Sequence, residues 1–274
     1  MKKDNIKEIT EQLEKGVKEV FESDRYKDYL NFVSKFYNYS INNSILIFMQ
    51  KPDASLVAGY KAWQTKFKRQ VRKGEKGITI LAPCPHKFKK EVEDENGNIE
   101  EKEIQYLSFR ATTVFDISQT DGEEVPHFVD KLTGEVDNFN ELFEKLKAVS
   151  PVPVEFEEIK TGAHGYFHLE EKRIALNEGM SEQQTIKTLV HEISHAMLHD
   201  RENGEEKDAD KNTREVQAES VAYTVCNMLG LDTSDYSFGY VAGWSKGKEV
   251  KELNASMEVI RKTAKEIIES LRAA

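Results

Sequence analysis

The stretch TLVHEISHAMLH, residues 188–199, places His191 and His195 four residues apart, with Glu192 between them and a third histidine, His199, four further on. Ser181, followed three residues later by Gln184, is a helix-start signature just upstream, so the histidines are predicted to ride on a helix. Residues i and i+4 of a helix project from one face about one turn apart, which lets two imidazoles grip a single ion. Zinc held in this way lowers the pKa of a bound water towards about 7. A carboxylate beside it, here Glu192, can then take the proton for attack on a peptide carbonyl. His199 is too distant to join the same ion: at about 1.5 Å of rise per residue, ~12 Å of helix separates it from His191, against Zn–N bonds of about 2 Å. It reads as a helix-terminal histidine near the negative end of the dipole.

A third ligand is needed, and TREVQAESVAYTV, residues 213–225, supplies the candidates. Glu215 and Glu219 are again i, i+4 on one face, and Ala218 and Ala222 permit close approach of a second helix. Either glutamate, Glu215 or Glu219, could be the ligand. HExxH followed by a glutamate on a second helix resembles the thermolysin-type zincins. That resemblance implies that Glu215 completes the metal site and that Glu219 supports a histidine ligand. It also implies that RIALN, residues 173–177, is the edge strand on which an extended peptide substrate is held. Tyr166, Tyr223, Tyr236 and Tyr240 are unranked candidates for stabilising an oxyanion.

The 274 residues, 38% of them apolar, suit two ordinary domains or one large one. The longest apolar runs, such as ILIFM at 45–49, are far too short to span a membrane, and no apolar leader follows Met1-Lys2-Lys3. Cys84 and Cys226 are far apart and neither belongs to a CxxC pair, which fits a reducing compartment. A soluble, cytoplasmic chain is therefore expected.

Helical spacing of Ile6, Ile9, Leu13, Val17 and Val20/Phe21 predicts a first amphipathic helix over 2–23, slightly weakened by Gly16. Further helices are expected over 25–37 and in the run before Pro52. From Val71 onward β-formers take over, with Pro83 and Pro85 expected to close the run. Asn96-Gly97 signals a hairpin with an exposed acidic tip. Asn138 and Glu141 form a capping signature for a helix over 139–149. Two strand segments follow, at 151–159 and 165–177, the second doubling back at Glu170–Lys172. Helices are then expected over 213–229 and 249–271. The organisation is α+β: a helical and β N-terminal domain, 1–128, and a C-terminal domain, 136–274, that carries the HExxH helix.

Charge distinguishes these halves. Residues 51–90 hold eleven Lys/Arg against two acids, +9 in a chain of net −10, so the rest carries −19. Tyr60, Trp63, Phe67, Lys68, Arg69, Arg72, Lys73 and Lys76 interleave rings with cations, a pattern that suits single-stranded DNA: cations neutralise phosphates and rings stack on bases. Residues 38–83, together with VFDISQT at 114–120 and REVQAESVAYTVCNMLGL at 214–231, resemble the ArdC-type antirestriction proteins, which are encoded largely on conjugative elements. That resemblance implies a non-specific single-stranded DNA-binding N-terminal domain ahead of a zincin-like metallopeptidase domain, with Zn2+ as cofactor and a protein or peptide as substrate. One departure stands out: KFKRQV occupies the place of a Gly-Arg pair common in the family, leaving Arg69 as its counterpart. Two other readings share the motifs: a DNA-binding protein with a non-catalytic, metal-stabilised scaffold, and a regulatory protease of the ImmA/IrrE kind.

Overall fold

The structure, a computed structural model, describes residues 2–22, 25–93, 99–125, 139–202, 204–206 and 208–273. Three helices open the chain: α1 (Lys2–Glu22), α2 (Arg25–Phe36) and α3 (Ile41–Gln50). The predicted stripe of α1 is buried from Ile9 to Phe21. Gly16 proves to be a crossing point: a Cβ there would lie 2.9 Å from Ile45 Cγ2 and 3.0 Å from Met49 Cγ, so α3 approaches closely only because the side chain is missing.

The β part follows, with β1 (Val57–Gly59), the short helix α4 (Tyr60–Thr65), β2 (Arg69–Val71), β3 (Ile78–Glu93), β4 (Ile99–Asp116) and β5 (Thr120–Gly122). β3 and β4 form a long antiparallel ribbon from Ile78↔Val114 to Glu93↔Ile99, and the turn expected at Asn96-Gly97 lies outside the described residues. β1 lies on the other side of β4, which leaves β3 at the sheet edge. Pro83 and Pro85 therefore do not end the strand as expected. Thr79 and Leu81 turn their main-chain groups outward, to Gln50 and Asn43 of α3. Positions 83 and 85 share that outward register, where a missing N–H breaks no ladder bond.

The C-terminal part contains α5 (Phe139–Val149), β6 (Val154–Glu157), β7 (Gly165–His168), β8 (Arg173–Asn177), α6 (Glu182–Leu198), α7 (Lys211–Met228), α8 (Val241–Ser245) and α9 (Val250–Ala273). The capping residue proposed for α5, Asn138, lies outside the described residues. The strand order is β6-β8-β7, with β6 parallel and β7 antiparallel to β8. RIALN is thus the central strand and not the edge. Its Ile174, Ala175 and Leu176 are completely buried, as a strand flanked on both sides requires. β7 is the edge strand beside α6. Gly165 lets it approach, since a Cβ there would come within 2.7 Å of Thr188 Cγ2 and 2.8 Å of the Ala175 carbonyl.

The two parts share one continuous apolar core that runs from Ile9 to Leu271. α7 is enclosed by α2, α6 and α9, which explains why residues on every side of it are buried. Polar bonds stitch the same seam: Tyr26 Oη pairs with Ser220 Oγ (2.8 Å), and Asn227 Nδ2 donates to Asn31 Oδ1 (2.8 Å) and Ser34 Oγ (2.9 Å). Lys27 Nζ donates to the carbonyls of Thr233 (3.1 Å) and Tyr236 (2.9 Å). The N-terminal helices thus brace the helix that carries Glu215 and Glu219. Among the described residues no helix is long and apolar enough to cross a membrane.

Candidate metal centre

Ser181 caps α6 by accepting the Gln184 N–H, and the helix then runs unbroken through His191 and His195. Asp210 caps α7 in the same manner, through the N–H of Thr213. The two helices pack together, with Ala218 and Ala222 fully buried at close quarters, and their facing turns bring the motif residues to one point. His191 Nε2 and His195 Nε2 lie 3.1 Å apart, and Glu215 Oε2 is 3.8 Å from each. All three potential ligand atoms fall within 4.8 Å of one another. Glu219 Oε2 sits behind His191, 3.3 Å from its Nδ1.

The electrostatics follow from this geometry. Glu192 is buried, and desolvation pushes its carboxyl up to about 7 despite the charge of His191 and a hydrogen bond from the Phe167 main chain. Burial works against a charge on His191. The hydrogen bond to Glu219 and the charges of Glu192 and Glu215 outweigh it and hold the imidazole above its ordinary value. Burial and the charge of His191 push His195 down to about 2. The centre opens into a cleft of about 650 Å3 walled by Gly165, Tyr166 and Phe167 of β7 and by Arg214 of α7.

His199 is no bystander. It caps the C-terminus of α6 but is only 2% exposed, with Nδ1 2.9 Å from His195 Nδ1 and Nε2 3.0 Å from Gln217 Oε1. It stands outside the cluster of His191, His195 and Glu215, as the distance along the helix required, yet it contacts His195. Gln217, between the two glutamates in REVQAES, gave no signal of its own in the sequence. Only the further i, i+4 step from His195 to His199 could have pointed to the pair.

The basic strip does not assemble as one surface. Trp63 is fully buried and its indole N–H donates to the Phe115 carbonyl at 2.9 Å, so it is core and offers no ring for stacking. Phe67 packs on it, half-buried, with centroids 4.8 Å apart. Arg69 holds the β2–β5 pair together through Thr120 and the carbonyls of Gly122 and Glu123. Arg72 pairs with Glu75 and Asp121 and donates to the Ser118 carbonyl. Tyr60, Lys68, Lys73 and Lys76 do face solvent, although Lys68 also lies 3.6 Å from Glu123. The β3–β4 ribbon adds exposed Tyr106, Leu107 and Phe109, which periodicity alone did not single out.

Against this geometry, residues 1–115 match the model of the N-terminal domain of the anti-restriction factor ArdC, and residues 150–233 match the IrrE N-terminal-like domain, peptidase M78. A metal-free crystal structure of the antirestriction ArdC protein from plasmid R388 superposes with a TM-score of 0.55 at 22% identity, covering 86% of each chain. The Mn(II)-bound structure of that protein gives 0.53 at 21%, covering 85% of each. The chain is of the ArdC type. Its α+β fold is that of the R388 ArdC structures. It is also 27% identical, over 98% of its length, to the uncharacterized Bacillus anthracis protein pXO2-81, of which it spans 51%.

Two ArdC-type features now have a local explanation. Within VFDISQT, Asp116 is fully buried and accepts the N–H groups of Ser55 (2.8 Å) and Leu56 (3.1 Å), while Gln119 Nε2 donates to the Lys76 carbonyl (2.8 Å), so the motif ties three loops together. Lys68 has φ +51°, the left-handed region that favours glycine, and it stands where the family commonly has glycine before Arg69. The turn is kept at some cost in strain. Of the four tyrosines, Tyr223 and Tyr236 are buried, and Tyr166 is tied to Glu157 at 2.6 Å. Tyr240 is 46% exposed, and the charges of Glu219 and Glu215 reinforce burial in raising its hydroxyl.

Proposed function

We propose that this chain is a mobile-element antirestriction protein of the cytoplasm. In this reading it binds single-stranded DNA through its N-terminal segment and hydrolyses peptide bonds at a zinc site held by His191, His195 and Glu215. The observation that carries the reading is the convergence of two imidazole Nε2 atoms and one carboxylate oxygen beside a buried carboxylate, Glu192. The donor set fits the ion. With Nδ1 of each histidine turned to another partner, two Nε2 lone pairs face each other at 3.1 Å, a repulsion that a cation relieves. Two imidazoles and a carboxylate with a position left open suit catalytic zinc. The R388 protein carries Mn(II) in one of its structures, so manganese belongs in the metal analysis.

When bound, zinc supplies Lewis acidity to a water and to the scissile carbonyl. Glu192, buried beside the two histidines, accepts the proton of the attacking water and returns it to the leaving amine. β7, the edge strand along the cleft, pairs with the substrate main chain in place of RIALN. Tyr240, the exposed tyrosine near the two glutamates, is the candidate to stabilise the oxyanion. In the N-terminal segment, Lys68, Lys73 and Lys76 neutralise phosphates, and Tyr60 offers a ring for stacking.

The match of residues 150–233 favours a second reading, a regulatory protease of the IrrE kind. Titration of the whole chain with single-stranded and duplex DNA at several salt concentrations separates the two. Affinity for single strands that falls with salt supports our reading, and the absence of binding favours the regulatory one. Metal analysis of the purified chain should find one zinc, and a chain that takes up no divalent metal defeats both.

A further inference from the structure

Hydrogen-bond direction can be traced inward to His195 from a buried polar chain behind it. The chain begins at Gln217, whose Nε2 faces Glu206 Oε2 at 3.5 Å and Ser256 Oγ at 3.4 Å. A carboxylate can only accept, so the amide nitrogen belongs on that side and the amide oxygen on the other. Gln217 Oε1 therefore accepts from His199 Nε2, 3.0 Å away, and that nitrogen carries a proton. His199 is 2% exposed, and its two partners, an amide oxygen and an imidazole, compensate no positive charge, so its ring is neutral and its Nδ1 is bare. A bare Nδ1 only accepts. The atom facing it at 2.9 Å, His195 Nδ1, must then be the donor, which leaves His195 Nε2 with its lone pair directed at His191 Nε2 and Glu215 Oε2.

We infer that His199 and Gln217 are positioning residues that fix the tautomer of His195 and aim its Nε2 lone pair into the metal centre. The inference rests on the metal-site reading for its purpose, though not for its geometry. The two histidines are then oriented by different means. His191 leans on a carboxylate, Glu219, whereas His195 leans on a neutral imidazole–amide relay. The contrast has an electrostatic logic: Glu215, Glu219 and Glu192 already crowd the centre with carboxylates, and a neutral relay orients the second ligand without adding another.

The test is imidazole nitrogen NMR of the full-length, metal-free chain labelled at its seven histidines, combined with zinc titration against a competing chelator. In the unaltered chain His195 should appear as the Nδ1–H tautomer and His199 as Nε2–H. His199→Leu should let His195 populate Nε2–H and should weaken zinc binding by roughly 10-fold to 100-fold. His199→Asn, which returns an amide oxygen near the former Nδ1, should restore the tautomer and most of the affinity. Gln217→Leu should act like His199→Leu. An Nε2–H tautomer at His195 in the unaltered chain overturns the inference. So does a folded His199→Leu chain that binds zinc as tightly as the original. A chain that shows the stated tautomers but binds no zinc defeats the metal reading and leaves the relay standing.

Discussion

The facing turns of α6 and α7 and the strip from Tyr60 to Lys76 both concentrate charged side chains, but they use them in opposite ways. At the helices, His191, His195, Glu215 and Glu219 are directed at each other across a cleft. In the strip, Arg69 is consumed by carbonyls of its own β2–β5 pair, Arg72 by Glu75 and Asp121, and Trp63 by the core. A helix satisfies its backbone internally, so its side chains are free to serve a site. Short strands and turns leave carbonyls unpaired, and arginine, with five donors, is well suited to meet them. Charge counted along a chain is therefore an upper bound on the charge offered to a partner.

The largest effect is expected at Glu192. Glu192→Gln keeps the size and the proposed metal ligands but removes the proposed base, so peptide cleavage should fall by roughly 100-fold to 10,000-fold while zinc content is unchanged. Cleavage of a quenched-fluorescent peptide library by the two proteins, each checked for zinc, measures this, and equal rates would remove Glu192 from the chemistry. Trp63→Ala should next lower stability by about 3 to 5 kcal/mol, as expected for a completely buried aromatic side chain. Denaturant unfolding reports that loss. If the variant instead unfolds like the original and loses only DNA affinity, the ring was acting at the surface and the contrast between the regions breaks down.

A smaller difference separates the two glutamates of α7. Glu215→Ala deletes the proposed third ligand and should abolish stoichiometric zinc, whereas Glu219→Gln can still accept a hydrogen bond from His191 and should weaken binding by only about 10-fold. Equal losses in the two variants would show that Glu219 ligates too. Much of this site was legible because helical spacing converts sequence separation directly into direction: i, i+4 pairs on two helices suffice to name four residues. His199 was legible only as a poor ligand, since its role depends on Gln217 of another helix. The position of β8 within its sheet was not legible either. A run such as RIALN pairs on one side or on two according to where distant β6 falls, and its complete burial appears only once β6 and β7 are both in place. Likewise, Pro83 and Pro85 look like strand terminators until the outward register of Thr79 and Leu81 shows that their missing N–H groups face away from β4.

The smallest expected effects distinguish cations of the strip that are free from those that are spent. Lys73 and Lys76 are exposed, whereas Lys68 already lies 3.6 Å from Glu123, so replacing Lys73 and Lys76 by alanine should weaken single-stranded DNA binding at low salt and reduce the slope of log affinity against log salt by about 1.4, at ~0.7 per phosphate contact on single strands. Arg72→Ala removes the same formal charge as any one of these lysines, but its guanidinium is already matched by Glu75 and Asp121. Loss of that arginine should leave the slope unchanged and be felt in stability, through the Glu75 and Ser118 contacts it makes. An equal slope change for Arg72 and for a single lysine would mean that its ion pairs open on binding, and the strip would then act as one continuous cationic surface after all.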